Sequence, residues 1–107
     1  MKILLDECVP VQVRLALVDH DVVSVNDLRW KGRENGDLLG AAEAAGFDVF
    51  LLADKNLRYQ QNLGQRKVAI VELWTNHRPT LERHFEYIAR HVSKATPGSY
   101  IVVPQPS

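Results

Sequence analysis

Short apolar runs alternate with polar or amphipathic stretches along this chain. Lys2 to Leu5 is an apolar run stopped by Asp6-Glu7, which predicts a buried strand. Pro10 suits the first turn of a helix, and Val11, Val13, Leu15, Leu17 and Val18 continue it only weakly by period. Asp19-His20-Asp21 reads as a turn, and the β-branched run Val22 to Val25 as a second strand. Asn26 to Gly36 is polar and reads as loop with room for a helical turn. Asp37 to Ala45 is rich in helix formers, and Gly46 stands where a C-terminal cap belongs. Phe47 to Ala53 predicts the third strand, Asp54 to Asn62 a short helix ended by Gly64, and Val68 to Leu73 the fourth strand. Pro79 opens a predicted long helix whose Leu81, Phe85, Ile88 and Val92 share one face. Pro97-Gly98 breaks the chain, Tyr100 to Val103 predicts a last strand, and the tail 104–107 is expected to be loose.

Strands that alternate with helices and are apolar on both faces predict an α/β domain, its parallel sheet covered on both sides. At 107 residues this is one domain, 1–107, able to bury a modest core without disulfides. The apolar share of 46% and charged share of 24% exclude a disordered chain. The single cysteine, Cys8, can form no internal bridge, so a reducing, cytoplasmic setting is expected. The apolar run at the N-terminus is too short for a signal peptide, and no segment reaches the roughly 20 apolar residues of a membrane span. A formal net charge of zero argues against nucleic-acid binding through bulk positive charge, while leaving room for a local basic patch.

In open parallel sheets ligands bind beyond the carboxyl ends of the strands. Asp6 and Glu7 follow strand one, Asp54, Lys55 and Asn56 follow strand three, Glu72 lies near the end of strand four, and Asp37 opens the helix before strand three. Acids converging on one sheet edge suit a hard cation such as Mg2+, which prefers carboxylate oxygens and keeps several waters. Each acid also has a structural reading: Asp6 as a strand end, Asp54 as a helix N-cap, Asp37 as a first-turn partner of the helix dipole.

Ile3-Leu4-Leu5-Asp6-Glu7 followed by Pro10, then His20-Asp21-Val22-Val23, Gly36-Asp37-Leu38-Leu39, Phe47-Asp48-Val49 and Ala53-Asp54-Lys55-Asn56-Leu57, resembles the small PIN-like proteins of the DUF5615 type. That family is related to the toxin partners of bacterial toxin–antitoxin pairs. The resemblance runs from the first strand to about residue 73. It implies a three-layer α/β/α PIN-like fold with a mostly parallel four- to five-stranded sheet. It implies metal-dependent cleavage of RNA with Mg2+, or Mn2+ in its place, and a cognate antitoxin as protein partner. By the same resemblance Asp6, Asp37 and Asp54 are the catalytic, metal-holding acids; the fourth acid has no clear match, with Glu7 and Glu72 as candidates. PIN-like proteins are often dimers, so a homodimer is compatible with the resemblance.

Lys55 and Arg58 could hold a phosphate beside the metal or merely solvate a helix, and Asn56 could be a neutral ligand or support one. His77, His84 and His91 recur every seven residues, about 10 Å apart along a helix, too far to share one metal. The basic residues among them could face RNA or an acidic partner. Trp30, Trp74, Tyr59 and Tyr87 could stack on bases or simply pack. Three functions compete: a metal-dependent endoribonuclease toxin, a degenerate PIN-like module that only binds a partner, and a phosphoacceptor receiver domain. The receiver needs a lysine at the end of a late strand, where Lys67 instead precedes strand four.

Overall fold

The computed structural model describes residues 1–30, 32, 35–53 and 66–106. Its strands are β1 (Lys2–Leu5), β2 (Asp21–Ser24), β3 (Val49–Leu52), β4 (Ala69–Glu72) and β5 (Tyr100–Val102). All pair in parallel, in one five-stranded sheet of order β2-β1-β3-β4-β5. The central strands β3 and β4 are buried at every position, which is why they read as unbroken apolar runs.

The two faces have separate cores. Ile3, Leu5, Val49, Leu51 and Val71 pack against Val13, Leu17, Leu81, Ile88 and Val92. Leu4, Phe50, Leu52 and Ile70 pack against Leu38 and Ala42 of α1 (Asn35–Ala44). Helical elements therefore cover both sides of the sheet, as the doubly apolar strands require.

Three details differ from the sequence expectations. Val11–Leu17 is a 3-10 helix with Pro10 as its N-cap, outside the first turn. Its β-branched valines resist regular α geometry, and only Val13 and Leu17 are buried. The long C-terminal helix is two helices, α2 (Arg78–Glu82) and α3 (Phe85–Val92). They part at His84, whose φ of −130° and ψ of 29° are not helical. Leu81, Ile88 and Val92 are buried all the same, because the break preserves the apolar face. The helix expected over Asp54 to Asn62 lies outside the described residues.

Gly46 ends α1 at φ 82°, with Gly46 N–H donating to the Glu43 carbonyl at 3.1 Å and Phe47 N–H to the Ala42 carbonyl at 2.9 Å. These are the paired bonds of a Schellman cap. Gly98 has φ 77°, a conformation side-chain-bearing residues rarely adopt, and a Cβ there would sit a tight 3.0 Å from the Arg66 carbonyl oxygen. Among the described residues no helix is long and apolar enough to cross a membrane.

Candidate functional site at the carboxyl edge of the sheet

Strand order reverses between β1 and β3, and in doubly wound sheets the ligand crevice opens there, beyond the carboxyl ends. Asp6 stands at that point. Its N–H donates to the Leu51 carbonyl at 2.9 Å, carrying the β1–β3 ladder one residue further. Its carbonyl accepts the Val9 N–H at 3.0 Å, closing a turn. That turn returns Cys8 to the carboxylate, and the thiol donates to Asp6 Oδ2 at 2.9 Å. Asp6 is only 6% exposed. A thiol is a weak donor, and a buried carboxylate is costly without strong compensation.

Glu72 is the second buried acid, 1% exposed at the last position of β4. Leu5 is level with Leu51 and Leu52 with Glu72, so Asp6, Leu52 and Glu72 form one row across the sheet. The alternation of strand side chains puts all three on the face covered by α1. Asp6 and Glu72 thus flank β3, about 10 Å apart at their backbones. Tyr100 donates its hydroxyl to Glu72 Oε1 at 2.8 Å. The sequence signal for Glu72 was an acid closing an apolar run; its phenolic partner, a whole strand away, left no local trace.

The other expected residues divide. Asp37 lies in the first turn of α1 and is exposed. Because α1 leads from the carboxyl end of β2 to the start of β3, that turn lies at the same edge as Asp6. Glu7 is exposed, in the turn after β1. Asp54, Lys55, Asn56 and Arg58 lie outside the described residues. Among the described residues no three His, Cys, Asp or Glu side chains come close enough to hold a metal ion.

Two further groups border this edge. Ser24 and Asp27 form a capping box: the Asp27 N–H donates to Ser24 Oγ at 3.0 Å, and the Ser24 N–H to Asp27 Oδ2 at 3.1 Å. The Ser24 N–H, then the Ser24 hydroxyl and the Arg14 guanidinium at 3.1 Å, hold the Asp27 carboxyl below the usual carboxylate range. The spacing Ser24-x-x-Asp27 is itself a sequence signature of this motif. On the other face, Trp74 meets His84 and Tyr87 edge-on, with ring centroids 5.7 and 5.8 Å away. Tyr87 in turn meets His91 at 4.5 Å.

A cleft of about 410 Å³ opens at the opposite end of the sheet, lined in part by Met1, Phe47, Asp48, Val49, Lys67 and Ala69. Its position at the strand starts separates it from the carboxylate row. Lys67 also belongs to that end, whereas β4 and β5 finish in Glu72 and Val102. No family model, curated protein or solved structure matches this chain.

Proposed function

We propose that this protein is a PIN-like, metal-dependent endoribonuclease, the toxin of a toxin–antitoxin pair, hydrolysing RNA at the carboxyl edge of its sheet. The observation that carries the reading is Asp6, a buried carboxylate at the reversal of strand order, with a thiol as its one side-chain donor among the described residues. A divalent cation supplies the compensation such a group needs. Mg2+ is commonly held by one or two carboxylates and several waters, so a small donor set fits it.

Asp6, Asp54 and Asp37 would hold the ion, Asp37 from the first turn of α1. Bound there, Mg2+ would polarise a phosphodiester and lower the pKa of an attacking water. Asp6 keeps a fixed orientation through the Cys8 thiol and its own backbone ladder bond. Glu72, whose Oε1 accepts the Tyr100 hydroxyl, lies in the same row on the far side of β3. The receiver alternative is disfavoured by Lys67, which stands at the wrong end of β4 for a phosphoacceptor site.

Purified protein should cleave single-stranded RNA in Mg2+ and lose that activity in excess EDTA. Equal cleavage in both would end the metal mechanism. Absence of cleavage at any Mg2+ concentration would favour the partner-binding module.

A further inference from the structure

We infer that the ring cluster beside β4 is a stacking platform for the bases of a single-stranded RNA; this deepens the ribonuclease reading above. Trp74 lies two residues past Glu72, so the platform and the carboxylate row occupy neighbouring positions on one sheet edge, on opposite faces. Trp74, His84, Tyr87 and His91 are each half-buried, so each ring is anchored yet keeps surface in water. The cluster is fixed before any ligand arrives. The Tyr87 hydroxyl donates to the Pro104 carbonyl at 2.6 Å, and His91 Nδ1 lies 3.0 Å from the Tyr87 carbonyl oxygen. The helix break at His84 matters here, because it sets the imidazole edge-on to both Trp74 and Tyr87.

Beside the rings runs a groove of about 350 Å³, lined by Arg83 and Arg90, by Glu82 and Glu86, and by His84 and Tyr87 among others. Residues 78–94 carry four Lys or Arg against two Glu, in a chain whose formal net charge is zero. Glu82 is engaged by Arg78 at 3.1 Å. Arg83 and Arg90 are exposed and form no ion pair among the described residues. Flat rings next to uncommitted guanidinium groups suit an occupant with both planar bases and phosphates. An acidic peptide would satisfy the arginines but offers nothing flat to the rings.

The test uses the whole chain, a fluorescein-labelled single-stranded RNA of mixed sequence, and EDTA to block cleavage. The RNA should bind, quench tryptophan emission and dissociate as salt rises. His84→Ala should weaken binding by roughly tenfold or more, and His84→Phe should restore it by returning a ring. Arg83→Ala with Arg90→Ala should weaken binding and flatten its salt dependence, with circular dichroism unchanged. Unaltered RNA affinity in His84→Ala, or equal affinity for polyglutamate, would overturn the platform. If His84→Ala binds and cleaves RNA normally in Mg2+, the platform fails and the nuclease stands. If wild-type protein binds RNA through the rings but never cleaves it, the platform stands and the nuclease fails.

Discussion

The two ends of the sheet use their carboxylates in opposite ways. At the strand starts, Asp48 accepts the Lys2 N–H at 2.8 Å and is exposed. Glu43 accepts the backbone N–H groups of Lys67 and Val68. Both acids tie one segment to another, and both keep water or strong donors around their charge. At the carboxyl ends, Asp6 and Glu72 are buried; the Cys8 thiol donates to Asp6 and the Tyr100 hydroxyl donates to Glu72. Acids at the first end stabilise the fold by satisfying backbone donors. Acids at the second end lie buried in one row across the sheet and accept from side chains, and that end carries the proposed metal site.

The contrast breaks most sharply at Asp6. Asp6→Asn should cut RNA cleavage more than about 100-fold, beyond the usual loss from a group outside the metal shell. Its melting temperature should hold or rise, because a buried charge is removed without loss of shape. Glu72→Gln should lower cleavage by about 10- to 100-fold, measured at saturating Mg2+, if it orients the site from outside the shell. Asp48→Ala should do the reverse: full activity, with stability reduced by about 1 kcal/mol in urea unfolding. A loss of activity there without a loss of stability would erase the distinction between the two ends.

The smallest effect belongs to Asp27. Its carboxyl lies below the usual range in the folded chain, so the charged form is favoured by folding. That stability is present above the ordinary carboxylate range and is lost as pH falls through the lowered folded value. Asp27→Asn should therefore flatten the melting temperature against pH below about pH 4. Similar acid limbs in both proteins would assign that dependence to other carboxylates.

Much of the scaffold was legible because buried parallel strands are continuous apolar runs. Lys2–Leu5 needed no neighbour to be recognised, and Gly46 announced the end of α1. The 3-10 helix was not legible as such, since Val11, Leu15 and Val18 face outward and blur the period. The break at His84 was hidden because Leu81 and Ile88 keep helical spacing across it. At the site, the position of Asp6 could be read from one strand and one turn. The Tyr100–Glu72 bond and the Trp74–His84–Tyr87 contacts join distant segments, which no local pattern encodes. The Asp6–Cys8 contact is local, yet a thiol two residues past an acid has no signature until the turn is seen.

The most direct test is Mn2+ binding followed by electron paramagnetic resonance of the free ion. Wild-type protein should quench the free-ion signal at millimolar metal or below, and Asp48→Ala should match it. Asp6→Asn should need at least about tenfold more protein for the same loss. Identical titrations of wild type and Asp6→Asn, or no binding by wild type at millimolar Mn2+, would contradict the assignment of Asp6 to a cation.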